Sequence, residues 1–330
     1  MITELTMENF RGFSSLELKD LKRVNVVVGQ NNSGKTSLLE GILLLCEPTR
    51  IHELANSFRP AQGSADIRYF RWLLRDRAPG FKGELRGRVD GKQSSVLLTG
   101  KGYGNQTSTL IRRPGFPDLD SPQNLQGVIH TSSHLRATTS GALMNMRCRI
   151  ISVQQREPSA LVSLVGKAQR KAEGEDTLQN LLASLDPRIK KVRIDPGEDG
   201  NQVIVDIGLS ELLPVSQVGQ GVYRLMAIMA DVIGETPDIV LIDEIENGLH
   251  HSIHELVWKG LAETAEKLRV QIFATTHSGE CLQAAHRAFL SRKHYDLAVV
   301  QLFRVESGVQ GRVLDRQHIE AAVAGEIDLR

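Results

Sequence analysis

Cysteine is scarce in this chain: three in 330 residues, Cys46, Cys148 and Cys281, far apart and in no Cys-x-x-Cys or Cys/His spacing. That excludes a disulfide framework and a zinc site, and it predicts a reducing, cytoplasmic setting. Long apolar runs are lacking too. The longest, around Gly41 to Cys46, is too short to span a bilayer, and the opening MITELTMENF alternates and carries Glu4 and Glu8, unlike a signal peptide. No membrane partner is expected. There is no internal repeat, no low-complexity tract and no heptad pattern long enough for coiled-coil arms. Net charge is nearly absent at +1, but this hides a segregation: residues 50–193 hold 24 Lys and Arg against 12 Asp and Glu, and the rest 16 against 27. A basic middle section predicts an acidic partner such as nucleic acid; the alternative is docking on the acidic remainder of the chain or on another protein.

What is present is apolar content, 41%, enough to fill the core of one large or two ordinary domains. Thr3 to Asn9 and Ser15 to Leu18 alternate as two short strands around Arg11-Gly12, and Val24 to Val28 is a β-branched buried strand. A nearly all-apolar helix follows from Ser37 to Cys46, stopped by Pro48. FKGELRGRV and SSVLLTG, joined by Asp90-Gly91, predict a β-hairpin; a strand is expected at Val128 to Thr131, helices through about Leu185, and a second hairpin around Asp199-Gly200. The stretch PVSQVGQGVYRLM, Pro214 to Met226, predicts a glycine turn opening a helix that runs to about Ile233. Beyond it the pattern is α/β: a strand at Ile239 to Ile242, a helix from Leu249 to Leu268 with Ile253, Leu256, Val257, Leu261, Ala265 and Leu268 on one face, and a strand at Val270 to Thr275.

The strand Val24 to Val28 runs into Gly29-Gln30-Asn31-Asn32-Ser33-Gly34-Lys35-Thr36, which fits G-x-x-x-x-G-K-[ST] with a helix after it. Asn31, Asn32, Ser33, Gly34, Lys35, Thr36 and Ser37 then form a phosphate loop whose backbone N–H groups turn inward and whose helix N-terminus adds positive potential. Lys35 reaches the β/γ oxygens and Thr36 offers a hydroxyl to Mg²⁺. Downstream, IVLIDE puts Asp243 and Glu244 at the carboxyl end of a buried strand, where ligands sit in open parallel sheets. Asp243 is suited to hold Mg²⁺, and Glu244 to orient or deprotonate an attacking water. One strand later Thr275-Thr276-His277-Ser278 puts a histidine where it senses the γ-phosphate or simply caps a turn.

In that order, the P-loop, SQVGQG, LIDEIENGLH and ATTHS resemble an ABC-class ATPase of the SMC/RecF/OLD type. The opening MENFRGF is similar to the entry strand of that family's head domain, and the C-terminal block to its stand-alone OLD-like branch. The resemblance implies an α/β P-loop NTPase fold, an ABC-ATPase head with an antiparallel β-subdomain and a helical second lobe. It implies three parts: 1–131, the first lobe with the P-loop; 132–213, the helical lobe with a hairpin; and 214–330, the signature helix with the acidic pair and the histidine. The cofactors implied are ATP and Mg²⁺.

By position, the resemblance makes Ser216, Gly219 and Gly221 a signature loop that covers ATP on the P-loop of a second copy, in a head-to-tail homodimer. Ser216 would donate its hydroxyl and the two glycines would allow close backbone approach. Arg11 would approach the nucleotide from its strand turn, or else be a surface turn residue. Glu246 to His250 take the position of the dimer-contact loop. The glutamine that usually follows the strand at Val128 is absent; TSSH substitutes for it or the contact is missing, and Gln154 and Gln155 lie too far on. A fused nuclease domain is not expected, so a nuclease or toxin would be separately encoded. Repair or antiviral defence is the implied setting. Arg68, Arg71 and Arg75, interleaved with Tyr69 and Trp72, are suited to phosphates and bases or to a solvated face, as are Lys167, Arg170 and Lys171. His250, His251 and His254 lack a third-ligand pattern and point to helix surface or dimer contact more than to metal.

Overall fold

Alternating apolar residues pair the first two strands, as their period predicts. A computed structural model describes residues 1–48, 50, 54, 73, 82–103, 106–112, 128–129, 146–151, 158–197, 200–306 and 308–323. The chain divides into two compact units, Met1–Cys148 with Ala298–Asp315 and Leu329–Arg330, and Arg149–Leu297 with Arg316–Asp328.

In the first unit β1 (Ile2–Phe10) and β2 (Phe13–Leu18) are antiparallel, with Phe10 opposite Phe13 across the turn. β3 (Val24–Val28) is buried at every position, and α1 (Lys35–Cys46) is buried at every position but Thr36. A helix apolar on nearly every side has to sit inside the core, and this one does, with Glu40 its one buried carboxylate. β4 (Lys82–Val89) and β5 (Lys92–Tyr103) form the expected hairpin. Asp90 and Gly91 both take positive φ, 47° and 77°, as a two-residue turn matching strand twist requires. β6 (Gln106–Arg112) and β7 (Val128–Ile129) complete an antiparallel sheet in the order β2-β1-β4-β5-β6-β7.

The second unit begins within β8 (Cys148–Ile151) and continues with α2 (Pro158–Gln169) and α3 (Gly174–Leu185). A three-stranded antiparallel sheet follows, made of β9 (Lys191–Gly197), β10 (Gly200–Asp206) and β11 (Leu213–Pro214). Then come a single turn, α4 (Val215–Val218), and a longer helix, α5 (Gln220–Glu235). β12 (Ile239–Ile242), α6 (His254–Lys267), β13 (Gln271–Thr275) and α7 (Gly279–Leu290) form an α/β block in which β12 and β13 run parallel. The chain re-enters the first unit with β14 (Leu297–Val305) and β15 (Gly308–Leu314), an antiparallel pair in which β14 lies between β15 and β3. α8 (Arg316–Val323) belongs to the second unit.

Two helix boundaries differ from expectation. The helix expected from Leu249 starts at His254, after a 3-10 turn at His251–Ile253 that the His250 side chain caps. Its inner face is carried by His254, Val257, Trp258, Leu261 and Ala265, while Leu256 and Leu268 are half-buried. The stretch from Pro214 is not one loop opening one helix, because Gly219 breaks it between α4 and α5. Among the described residues no helix is long and apolar enough to cross a membrane.

Candidate nucleotide site

The phosphate loop lies in the first unit, between β3 and α1. Gly29 has φ +148°, and a Cβ there would fall 2.2 Å from the Leu302 carbonyl oxygen and 2.7 Å from Ser33 Oγ, so only glycine fits. Within the loop the Ser33 N–H donates to the Gln30 carbonyl at 3.1 Å. Lys35 is buried and turns back across the loop, its Nζ donating to the carbonyls of Gly29 at 2.6 Å and Gln30 at 3.0 Å. Ser33 Oγ is buried and has no partner among the described residues. Asn31 and Asn32 are exposed, Thr36 is half-buried and Ser37 buried. A buried ammonium among carbonyls and an unsatisfied hydroxyl, both at the N-terminus of a twelve-residue helix, suit an oxyanion ligand.

Two contacts, one to this loop and one to the helix after it, were not legible in the sequence. Arg304 on β14 donates to the Asn32 carbonyl, from Nη2 at 3.0 Å and Nε at 3.3 Å. Only the place of β14 beside β3 brings it near the loop. Arg11, at φ 53° in the β1–β2 turn, donates to Glu40 on α1 from Nε at 2.8 Å and Nη2 at 3.1 Å. With side chains 6% and 0% exposed, Arg11 is a buried ion-pair residue rather than a surface turn residue.

The acidic pair lies in the second unit. The parallel register sets Ile242 opposite Ala274, so β12 and β13 end level and bring Asp243, Glu244 and Thr275 together. Thr275 Oγ1 donates to Asp243 Oδ1 at 2.5 Å and accepts the Glu244 N–H at 2.8 Å. Glu244 has φ 51°, and its carboxylate, 47% exposed, stands 3.7 Å from His277 Nε2. Its other oxygen accepts from Asn247 Nδ2. The His277 N–H donates to Glu246 Oε1 at 2.6 Å, which fixes the strand end carrying the imidazole. This group can hold a water for proton abstraction: an accessible carboxylate, an imidazole beside it and a main chain pinned on both sides.

In the same unit Ser216 is exposed on α4, and Gly219 adopts φ 140°, ψ 148°. Among the described residues nothing stands within 4 Å of a Cβ placed on Gly219. Gly221 differs: it is buried and a Cβ would meet Ile253 Cδ1 at 2.7 Å, so packing on the 3-10 turn already calls for glycine there. The histidines do not converge. The His250 and His251 rings lie 4.1 Å apart, tilted by 37°, with His250 Nδ1 turned to Ser252; His254 is buried, and no metal-holding group of side chains occurs among the described residues. Lys167 pairs with Glu235 at 2.7 Å, which neutralises part of the second basic face. Arg68, Tyr69, Arg71, Trp72, Arg75, Gln154, Gln155 and the TSSH segment lie outside the described residues.

Residues 1–74 match the family model described as AAA ATPase domain, and residues 146–281 the one described as AAA domain, putative AbiEii toxin, Type IV TA system. Among solved structures, an SMC head bound to the C-winged helix domain of ScpA aligns over 96% of this chain and 98% of its own, at TM-score 0.58 and 12% identity. The SMC head domain from Thermotoga maritima aligns over 95% and 99%, at TM-score 0.54 and 15% identity. The chain is a P-loop ATPase with the fold of an SMC head. An ATP/GTP phosphatase of Helicobacter pylori is similar to this ATPase at 20% identity over 86% of this chain and 87% of its own. The DNA replication and repair protein RecF of Bacillus mycoides is 34% identical over 29% of this chain, a match spanning 22% of RecF. The ABC-ATPase head fold expected from the motifs is therefore the fold observed, and ATP is the substrate of this ATPase.

Proposed function

We propose that this ATPase closes as a head-to-tail homodimer around two ATP molecules and uses the closure to clamp nucleic acid or to control a separately encoded effector, in a repair or anti-phage setting. The observation that carries the reading is the signature segment: Ser216 is exposed, and among the described residues Gly219 presents an open backbone with nothing within 4 Å of its side-chain position. A surface of that kind fits a phosphate supplied by a second copy. The similarity to RecF, a DNA replication and repair protein, and the basic middle of the chain support nucleic acid as partner. The functional division is three lobes, 1–131, 132–213 and 214–330.

In this reading Asn31 to Ser37 cradle the triphosphate, and Lys35 exchanges its loop carbonyls for β/γ oxygens. Glu244 accepts a proton from the attacking water as its oxygen bonds to the γ-phosphorus and the β–γ bridge bond breaks, while His277 faces the γ-phosphate. Thr36 and Asp243 would hold Mg²⁺; a hydroxyl and a carboxylate are hard oxygen donors, and Asp243 is already oriented by Thr275. When bound, the ion neutralises charge building on the phosphate oxygens.

Complementation tests the dimer. Ser216→Arg protomers and Lys35→Ala protomers, each inactive alone, should regain about one working site per mixed dimer. No recovery on mixing sinks the contribution in trans. A second reading, an ATP-dependent scaffold that holds a toxin or nuclease without touching nucleic acid, is favoured by the match of residues 146–281 to a model described as a putative AbiEii toxin. Binding to DNA or RNA measured from low to moderate salt separates the two: a steep fall in affinity with salt supports the clamp, and no binding even at low salt leaves the scaffold.

A further inference from the structure

A connection between two of the sequence motifs, specified by neither, leads to the acidic pair. Arg224 sits on α5, one turn beyond Gly221, and its Nη1 donates to the main-chain carbonyl of Asn247. Asn247 in turn donates its side-chain amide to the Glu244 carboxylate, and its N–H to the Glu244 carbonyl at 3.0 Å. The neighbouring Glu246 accepts the His277 N–H at 2.6 Å. One arginine on the signature helix is therefore two hydrogen bonds away from the carboxylate of Glu244, and its charge lies within electrostatic reach of the residue that holds His277.

The far ends of both charged side chains are unsatisfied. Arg224 Nη2 and Glu246 Oε2 are each buried with no hydrogen-bond partner among the described residues. Burial pulls the Arg224 guanidinium down to about 10 while the Glu246 charge opposes the fall, so it stays cationic at neutral pH. Each group is bonded at one end only, and a buried polar atom without a partner is costly to keep. A guanidinium with spare donors beside a carboxylate with a spare oxygen has a second arrangement close at hand.

We propose that Arg224 is a positioning residue: through Asn247 it makes the orientation of the Glu244 carboxylate depend on the seating of α5, the helix that starts directly after Gly219 and carries Gly221. The inference rests on the reading of Glu244 as the water-activating carboxylate and adds what holds it. Movement of the signature loop against its phosphate shifts α5, Arg224 carries the shift to the Asn247 main chain, and the Asn247 amide turns Glu244 toward or away from its water. Arg224 touches no substrate in this scheme.

The test is a set of four variants, Arg224→Gln, Arg224→Lys, Asn247→Ala and the double Arg224→Gln/Asn247→Ala, with ATP turnover, the Kd of a fluorescent ATP analogue and the thermal midpoint measured on each. Arg224→Gln should lower kcat by about tenfold or more and shift the Kd by less than about twofold, the signature of an interaction needed in the transition state and not for binding. Arg224→Lys, which keeps one donor and the charge, should recover part of the loss. The double variant should be no slower than the slower single, because both changes cut one chain of contacts. Wild-type turnover in Arg224→Gln, or additive losses in the double, overturns the proposal; if Arg224→Gln unfolds, a fifth variant, the double Arg224→Lys/Asn247→Ala, is made and additive losses in it overturn the proposal instead. Glu244→Gln is run alongside. If it hydrolyses ATP normally, the underlying reading of Glu244 fails; if it is inactive while the Arg224 variants are normal, only the role of Arg224 fails.

Discussion

Arg11 and Glu40 form a two-pronged ion pair, at 2.8 and 3.1 Å, between the first β-turn and the helix that follows the phosphate loop, with both side chains shielded from water. Neither charge has water to fall back on. Arg11→Met should therefore cost about 3 to 5 kcal/mol of unfolding free energy, since it strands a buried carboxylate, whereas the double Arg11→Met/Glu40→Leu should lose much less. Chemical denaturation of the three variants checks this. A loss under about 0.5 kcal/mol for the single change would return Arg11 to the status of a surface residue.

The two residues proposed to meet the nucleotide separate binding from chemistry. Lys35→Ala should weaken ATP binding by more than about tenfold, because it removes the cation proposed for the β/γ oxygens. Glu244→Gln should leave binding intact, slow hydrolysis by about a hundredfold or more and accumulate an ATP-dependent dimer on size-exclusion chromatography. A Glu244→Gln protein that remains monomeric with ATP counts against the proposed closure.

Two glycines in the proposed site should respond differently to the same methyl group. Gly29→Ala drives a Cβ to 2.2 Å from a backbone oxygen of β14, which cannot swing aside, and should cost about 3 kcal/mol or more along with ATP binding. Gly219→Ala meets no atom of the described residues and should cost only the strain of positive φ, roughly 1 to 2 kcal/mol. If closure presses this backbone against a partner's ATP, Gly219→Ala should still impair hydrolysis more than it impairs folding. Thermal melts beside turnover measurements resolve the two effects.

Acid should weaken the second unit through its buried imidazoles. His254 is 4% exposed, and burial lowers its pKa below the ordinary 6.5 against the opposing pull of the Leu249 main chain and Glu246. The unfolded chain therefore takes up the proton first. Stability is complete above about pH 6.5 and falls as pH drops from there toward the lower folded-state value. His254→Phe should flatten that part of the stability curve, leaving the portion owed to His286, which burial lowers in the same way. An unchanged slope between pH 7 and pH 5 would refute this account.

The phosphate loop, the acidic pair and the histidine were legible in the sequence because each is short, local and bound to a period: VNVVV, GQNNSGKT and IVLIDE carry their geometry within a few residues. So were the hairpin at Asp90-Gly91 and the nearly all-apolar helix, since turn chemistry and burial are written in neighbouring residues. The signature segment was legible in composition but not in shape. Only the backbone at Gly219 divides it into two helices, and only contact with Ile253 explains Gly221.

Partners distant in the chain were decided by tertiary structure alone. Arg11 with Glu40, Arg304 with Asn32 and Arg224 with Asn247 are separated by 29, 272 and 23 residues. A side chain's sequence neighbours do not say which carbonyl or carboxylate the packing will bring to it. The sequence by itself determined that this protein is an ATPase and which residues are suited to meet the phosphates. Tertiary structure decided which residues hold those in place, because a buried charge takes its partner from the fold and not from the motif.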